Sequence, residues 1–426
     1  MNAFEPEIPD ADAHPASLRI AGRLLIDPHE VPQLGWLDIH SGRIAEIHFG
    51  EPGFKPDFGS ADTLITPGFI DAHIHLPQMD SIGCDGYELL EWLDRTIFPA
   101  EIKWSDESVA DALALAAYRR MFHEGTLGFA GYLTSHLHSV VAAVRAAHQL
   151  PLRAIAGQVF MDRNGPSELL GHDLARLAVS ARGRFTASVN PRFAVSCTDD
   201  LLSRASRRAK VAASPTSSHQ DGAFIQTHLA ESRGECELVA ALFPDDANYT
   251  AVYDRHGLLT PKTLLAHCVH LTPAEWQLIA VRRSVAVHCP TANLFLKSGI
   301  FEYSTAHERG VRLALGSDVA AGPDVAMPRV ARAMIESAKA RAMLTQSPSH
   351  IPTPAEAWSM ITHGNADALG WTDSGRIDVG AWADLLLLRC PFDPDDSDLI
   401  GRLLYTWTSK YIETRILAGV PRPATT

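Results

Sequence analysis

The sequence predicts an α/β fold: a (β/α)8 TIM barrel with a small β-sandwich domain formed from both termini. Three observations predict it. Strand-like and helix-like segments alternate through the middle of the chain, and short strand-like segments with turns occupy both ends. The 426 residues also have an ordinary globular composition, with 46% hydrophobic and 20% charged residues. We therefore place the small domain at residues 1–66 and 376–426 and the barrel at residues 67–375.

The two ends of the chain share a pattern of short strands separated by turns. Near the start, residues 19–26 and 36–40 are typical of strands, and a Ser-Gly-Arg turn follows at 41–43. Near the end, the apolar run 385–388 and the segment 413–417 have the same character. These segments predict one small β domain to which both termini contribute.

The barrel is expected to begin with a strand that Thr66-Pro67-Gly68 introduces. The first long helix is predicted to have Ser105 as its N-cap, with Asp106 and Glu107 in its first turn, and to stop by Gly125. Seven later strands are predicted at 126–132, 153–160, 185–190, 223–229, 263–267, 285–288 and 312–316. Residues 213–218 are predicted to form the loop that precedes the fifth strand. Eight parallel strands with crossover helices form a (β/α)8 barrel.

Charge and hydropathy exclude several classes of function. The net charge of −13 argues against a nucleic-acid partner, because phosphate binding relies on clustered Lys and Arg. No apolar run approaches the roughly 20 residues that cross a bilayer. Residues 1–16 are acidic and lack the pattern of a secretory signal, so we expect a cytoplasmic protein. A small molecule remains the expected partner.

The six cysteines are scattered and form no C-x-x-C pair, so neither a disulfide framework nor a cysteine-type zinc site is predicted. Cys268 and Cys289 each follow a histidine directly. Since neighbours on a strand point to opposite faces, we expect both thiols to be buried and to face away from any site those histidines line.

The sharpest local signal is His73-Ile74-His75, at the end of the first barrel strand. Side chains two apart on a strand share a face, so both imidazoles can reach one metal ion. An H-x-H pair alone is weak support. Its position at the carboxyl end of a barrel strand strengthens it, because barrel chemistry takes place on that face.

Three other strand ends carry groups of the same kind. His228 ends the fifth strand and Glu231 follows it, His267 ends the sixth, and Asp318 ends the eighth. Taken singly, a strand-end histidine is more often a hydrogen-bonded surface residue, and Asp318 suits a helix N-cap. Together these groups predict a metal site with Glu231 positioned to move protons.

The remaining histidines are weaker candidates. His123 and His363 suit packing or capping roles, and His270 is expected in the loop beyond the sixth strand. His288 could orient a neighbour or line the pocket. His136 and His138 follow the second strand and could reach the mouth of the site or lie in solvent.

These motifs resemble the amidohydrolase superfamily. The resemblance is carried by Pro67 to His75, His228-x-x-Glu231, His267 and Gly316-Ser317-Asp318. More narrowly, the chain resembles the guanine deaminase family, through the segments 75–78, 89–93, 98–101, 161–164, 191–194, 253–258 and 288–296.

The resemblance implies that one zinc ion per subunit is bound by His73, His75, His228 and Asp318. The metal-bridging lysine of two-metal relatives has no counterpart at the fourth strand, where Asn190-Pro191-Arg192 stands. The resemblance also implies a homodimer.

The resemblance further implies hydrolytic deamination of guanine to xanthine and ammonia, in purine catabolism. Gln78 and Arg192 would hydrogen-bond the guanine ring, with the Phe193 backbone beside them. Glu231 would be the proton shuttle, aided by Asp318, and His267 would steady the oxyanion of the intermediate.

The chain departs from the family pattern in two loops near the pocket mouth, at 131–136 and 320–324, and Ser317 replaces the usual Thr. These departures leave other heterocycles open as substrates: 8-oxoguanine, a pterin, thiomethyladenosine or S-adenosylhomocysteine, or an s-triazine that loses an amine or chloride. A non-catalytic structural relative is the alternative from a different class.

Overall fold

A computed structural model describes residues 17–171, 184–211, 222–346 and 349–422 of the chain. The segment 1–16 and the predicted loop at 213–218 lie outside these described residues. Within them the predicted architecture is confirmed: a barrel of eight parallel strands with surrounding helices, and a small β domain that both ends of the chain build.

Sixteen strands are described, numbered here in chain order. They are β1 (Leu18–Leu24), β2 (Gln33–His40), β3 (Arg43–Phe49), β4 (Phe58–Pro67), β5 (Phe69–His75), β6 (Thr126–Tyr132), β7 (Arg153–Gly157), β8 (Val159–Phe160), β9 (Phe185–Pro191), β10 (Phe224–Leu229), β11 (Thr263–His267), β12 (Val285–His288), β13 (Arg312–Leu315), β14 (Leu385–Leu388), β15 (Ile412–Leu417) and β16 (Val420–Arg422).

The small domain joins seven strands in the order β16-β15-β14-β4-β1-β2-β3. β4 pairs parallel with β1 and antiparallel with β14, so the N-terminal and C-terminal strands meet there. Alternate residues such as Ile20, Leu37 and Leu385 are buried in a core of this domain's own. Only Gly68 separates β4 from β5, and the domain division at residues 66 and 376 stays a prediction.

The barrel strands follow the order β5-β6-β7-β9-β10-β11-β12-β13, and β8 pairs with β9. The predicted third strand, 153–160, is interrupted at Gln158, which divides it into β7 and β8. The other barrel strands agree with the predicted ones to within about two residues at each end.

Fourteen α-helical segments accompany the strands in the described residues. They are α1 (Leu89–Trp92), α2 (Phe98–Ile102), α3 (Glu107–His123), α4 (Leu137–Gln149), α5 (Asp199–Val211), α6 (Arg233–Leu242), α7 (Tyr249–Arg255), α8 (Pro273–Arg282), α9 (Pro290–Phe295), α10 (Tyr303–Glu308), α11 (Met327–Thr345), α12 (Pro354–Ser359), α13 (Asn365–Ala368) and α14 (Leu399–Thr406).

The start of α3 corrects one prediction. The N-cap is Asp106, one residue after the predicted Ser105, and its carboxylate accepts hydrogen bonds from the Ser108 and Val109 N–H groups. Both residue types are good N-caps, so composition alone did not separate two adjacent candidates.

The barrel seam, where the first and last strands meet, is tied by Asn365. Its amide nitrogen donates to the carbonyl oxygens of Ile70 in β5 (2.7 Å) and Leu315 in β13 (2.8 Å). Its amide oxygen accepts from the Leu315 N–H at 2.8 Å. One buried side chain thus satisfies three main-chain groups in the two strands that meet at the seam.

We predict that Asn365→Ala lowers the free energy of unfolding by about 3 kcal/mol, because it removes three hydrogen bonds and leaves buried main-chain groups unpaired. Asn248→Ala is the matched control: Asn248 accepts a single hydrogen bond as the N-cap of α7, and its loss should cost about 1 kcal/mol. Urea unfolding of the three proteins measures both effects. Equal losses in the two variants would contradict the role of Asn365 at the seam.

Candidate active site

Three histidines and one aspartate from different strands converge at the carboxyl end of the barrel. His73 and His75 end β5, His228 lies near the end of β10, and Asp318 follows β13. One ligand atom from each lies within 4.8 Å of the others. Asp318 Oδ1 is 3.2 Å from His73 Nε2 and 3.4 Å from His75 Nε2, and the Nε2 atoms of His75 and His228 are 3.1 Å apart.

The protonation states of these histidines suit metal binding. Burial, and the proximity of the rings to one another, hold the pKa values of His73, His75 and His228 well below the usual range, so the imidazoles are neutral. His228 Nδ1 donates to the Arg192 carbonyl oxygen at 2.6 Å, which leaves the Nε2 lone pair facing the cluster. His73 Nε2 is buried and has no hydrogen-bond partner among the described residues.

This donor set fits a zinc ion. Three neutral imidazole nitrogens and one carboxylate oxygen are ligands that zinc commonly takes in proteins, and a buried, unpartnered imidazole nitrogen is satisfied by a metal. Asn190, in the segment where no bridging lysine is present, donates its amide to the Gly157 carbonyl oxygen at 3.2 Å. The predicted metal-binding residues are therefore brought together.

Asp71 holds the segment that carries Asp318. Its Oδ1 accepts from the main-chain N–H groups of Ser317 (3.0 Å) and His73 (3.1 Å), and its Oδ2 accepts from the Ser317 hydroxyl (2.5 Å). Burial raises the pKa of Asp71 to about 7 despite these bonds. Asp71, His73 and His75 are two residues apart along β5, so their side chains share one face of the strand. This spacing could have identified Asp71 as a residue of the site.

Glu231 is buried beside the metal-type cluster. Its Oε1 accepts from the Ser298 hydroxyl at 2.9 Å, and its Oε2 lies 3.4 Å from His267 Nε2. Burial and the nearby Asp318 carboxylate raise the pKa of Glu231 to about 8. A carboxyl group with such a pKa can gain and lose a proton near neutral pH.

His267 is oriented by Asn293 in α9. Its Nδ1 lies 2.9 Å from Asn293 Oδ1, an acceptor, so Nδ1 carries the proton. Nε2 therefore faces the site, at 3.4 Å from Glu231 and 3.7 Å from Asp318. The structure thus brings the predicted proton shuttle and the predicted oxyanion partner next to each other.

A cavity opens onto these groups, with about 380 Å³ of empty space when its open mouth is included. Its lining combines the metal-type cluster and acid–base pair with the predicted substrate contacts and an apolar wall: His75, Gln78, Leu89, Trp92, Leu93, Arg192, Phe193, His228, Glu231, His267, Leu296, Asp318 and Ala321. Half of the apolar wall, Leu89, Trp92 and Leu93, comes from α1 and the turn after it. All three predicted substrate-binding residues therefore reach the same cavity as the predicted catalytic groups.

Glu101 was not identified from the sequence as a functional residue, although it lies in one of the family-like segments. Its Oε1 accepts from Gln78 Nε2 at 3.0 Å, and its Oε2 accepts from Arg192 Nη1 at 2.7 Å. No role was predicted for Asn293 or Ser298 either. No pattern of spacing points to these residues, because their partners lie far away in the chain.

The weaker histidine candidates lie off the cavity. His136 and His138 stack on each other at 5.5 Å, His138 Nε2 bonds the Trp104 carbonyl oxygen, and neither ring lines the cavity. His288 stacks on Phe301 at 4.4 Å, and burial lowers its pKa to about 3.

The other weak candidates, His123, His363 and His270, also do not line the cavity. His123 is exposed near Ser409, His363 lies in a helical turn, and His270 bonds the Ser298 carbonyl oxygen at 2.7 Å. Cys268 and Cys289 are buried and do not line the cavity, as expected.

The chain is similar to several known proteins. The Amidohydrolase family model matches residues 64–410. The guanine deaminase of Escherichia coli (strain K12) is 32% identical over 335 residues, covering 76% of this chain and 73% of that protein. The guanine deaminase of Mus musculus is 30% identical over 365 residues, covering 81% and 78%. The crystal structure of guanine deaminase from Bradyrhizobium japonicum has a TM-score of 0.87 at 25% identity, covering 95% of this chain and 99% of that one.

We predict that His228→Ala loses bound zinc, because it removes one of the four ligands while leaving the seam untouched. Metal analysis of the purified protein should find about one zinc per chain in the wild type and less than about a tenth of that in the variant. His123→Ala, on an exposed histidine, should retain the wild-type content. Equal zinc content in all three proteins would contradict the assigned ligand set.

Proposed function

The chain belongs to the amidohydrolase family, and we propose that within it the chain catalyses the hydrolytic deamination of guanine to xanthine and ammonia. One observation carries the proposal. A single cavity is lined by the four metal-type ligands, by the Glu231–His267 pair, and by Gln78 and Arg192. The guanine deaminases of Escherichia coli and Mus musculus are 30% or more identical to this chain over more than three quarters of its length.

The proposed metal is zinc, one ion per subunit, held by His73, His75, His228 and Asp318. When bound, it would lower the pKa of a water molecule toward neutrality and so supply hydroxide at physiological pH. The residues themselves fix where that chemistry takes place, since His228 is oriented by the Arg192 carbonyl and the Asp318 segment is held by Asp71.

Glu231 is proposed to move the protons. It takes one proton from the attacking water as the new C2–O bond of guanine forms, and passes that proton to a ring nitrogen. With Asp318 it then takes the second proton from the new hydroxyl on C2 and passes it to the amine, which leaves as ammonia when the C2–N bond breaks. Its carboxyl group is buried next to Asp318, an environment that keeps it able to hold a proton at neutral pH. The Ser298 hydroxyl fixes the orientation of the carboxyl group.

His267 is proposed to stabilise negative charge on the new oxygen. Its Nε2 atom faces the site because Nδ1 donates to Asn293, so the role requires the protonated ring, whose Nε2–H donates to the oxygen. A preoriented polar group of this kind needs no rearrangement as charge develops, and such groups contribute several kcal/mol in other enzymes, on the order of 3.

Gln78 and Arg192 are proposed to recognise the guanine ring, with the Phe193 backbone beside them. Both side chains are buried, so a ring that leaves them unpaired is rejected more strongly than by an apolar wall. Guanine offers a carbonyl oxygen, a ring N–H and ring nitrogens as partners, which an amide and a guanidinium can satisfy together.

The cellular setting is also a proposal. We expect a cytoplasmic protein from the sequence, and the family resemblance implies a homodimer that acts in purine catabolism. Among the described residues, no helix combines the length and apolar character that a bilayer crossing requires.

We predict that the purified protein converts guanine to xanthine with release of ammonia, and that Glu231→Gln lowers kcat by at least about 100-fold while retaining zinc. Ultraviolet absorbance and metal analysis measure the two effects. Glu237→Gln, on an exposed glutamate of α6, should behave like the wild type.

Two outcomes would contradict these assignments separately. Near-normal turnover by the Glu231→Gln variant would end the proton-shuttle role. A wild-type protein that is inactive on guanine but deaminates 8-oxoguanine, a pterin or an s-triazine would show that the substrate assignment is wrong.

We also predict that Arg192→Ala raises KM for guanine and lowers kcat/KM by about 100-fold, because it removes charge-assisted hydrogen bonds to the ring. Steady-state kinetics measure the change. Arg145→Ala, at a half-exposed arginine that pairs with Glu107 and Asp111 on the barrel surface, is the control. Unchanged KM and kcat/KM in Arg192→Ala would remove this residue from the substrate site.

A further inference from the structure

Glu101 is a buried carboxylate that serves two cavity-lining side chains at once. It lies in α2 and is 1% exposed. Both of its oxygens are engaged, one by the Gln78 amide nitrogen at 3.0 Å and the other by the Arg192 guanidinium at 2.7 Å. Glu101 itself does not line the cavity among the described residues. It therefore acts on a substrate only through those two partners.

The contact with Arg192 fixes the position of the guanidinium. Arg192 is 2% exposed, and a buried cation of this kind requires a partner charge. Phe98, one helical turn before Glu101 in α2, places its ring 5.3 Å from the guanidinium carbon. The same short helix thus contacts the guanidinium twice: Glu101 binds one nitrogen, and the Phe98 ring covers one face. The other N–H groups of the guanidinium do not bind Glu101.

The contact with Gln78 fixes which end of its amide is the donor. A carboxylate can only accept, so the amide group beside Glu101 must be the nitrogen. The Gln78 oxygen in turn accepts from the Ala320 N–H at 3.3 Å. These two bonds exclude the flipped amide. They leave one N–H donor and one oxygen lone pair of Gln78 for a bound ring.

We propose that Glu101 is a positioning residue that sets substrate specificity, by locking Gln78 and Arg192 into one donor–acceptor pattern that selects a 6-oxopurine. A carbonyl with an adjacent ring N–H matches a fixed donor beside a fixed acceptor. A purine without the 6-oxo group presents a bare ring nitrogen in place of that N–H and lacks the carbonyl. This inference rests on the proposed function, and it assigns to Glu101 a role that neither the metal nor the proton shuttle requires.

The test is the ratio of kcat/KM for guanine to kcat/KM for 2-aminopurine, in which the same C2 amine is lost but the 6-oxo group is missing. Glu101→Gln removes one of the two acceptors. The charged guanidinium of Arg192 keeps the remaining oxygen, so the Gln78 amide loses its acceptor and is free to flip. We expect the ratio to fall at least tenfold, chiefly through a higher KM for guanine, with zinc content unchanged.

Two further variants keep the test decisive. Glu275→Gln neutralises another buried carboxylate, one that accepts from Thr250 and Thr272 away from the cavity, and it should leave the ratio unchanged. Glu101→Asp keeps the charge but moves the carboxylate away from Gln78 and Arg192 by the length of one methylene group. It should give a ratio between those of the wild type and Glu101→Gln. If Glu101→Gln does not fold, the Glu101→Asp result decides.

The outcomes separate the inference from the function on which it rests. If Glu101→Gln, or Glu101→Asp in its place, lowers kcat/KM for guanine and kcat/KM for 2-aminopurine by the same factor, Glu101 is only structural. The inference is then wrong, while the proposed function stands. If the wild-type protein does not deaminate guanine, the proposed function fails and the inference fails with it.

Discussion

The site depends on the closure of the barrel between its first and last strands. Across this seam Asp71 bonds Ser317, 246 residues away in the chain, and the Asp318 N–H donates to the His73 carbonyl oxygen at 2.8 Å. At Gly316 any side chain would meet His73, since an added Cβ would lie 2.5 Å from the His73 Cβ. The sequence Gly-Ser-Asp thus allows close approach, anchors the segment and supplies a ligand in three successive residues.

Burial of negative charge explains why this seam is a cation site. Asp71, Glu231 and Asp318 are buried close together, and burial raises the pKa of each, to about 7, 8 and 6. The imidazoles of His73, His75 and His228, whose pKa values are held low, are neutral and offset none of that charge. The Arg192 guanidinium is paired with Glu101. A bound dication would offset the carboxylates, so the same burial that is costly without a metal favours its binding.

Sequence patterns predicted which groups meet at the candidate site, and the family resemblance separated their roles, because each group lies at or just beyond the carboxyl end of a barrel strand and these ends share one face. The eight strands could be predicted because apolar runs and turn residues are local features of the sequence. The residues that were missed act through distant partners. Glu101 meets Gln78 and Arg192, and Asn365 closes the seam, through contacts that only the folded chain creates. The choice of Asp106 over Ser105 as a cap was also beyond a rule that accepts both.

The most direct test of the account is zinc titration of the metal-free enzyme with guanine as substrate. The four-ligand site at the seam predicts that xanthine formation is absent without metal and rises linearly with added zinc to a plateau at about one ion per chain. Full activity in the metal-free enzyme, or a plateau reached only at about two ions per chain, would contradict a single metal site held by His73, His75, His228 and Asp318.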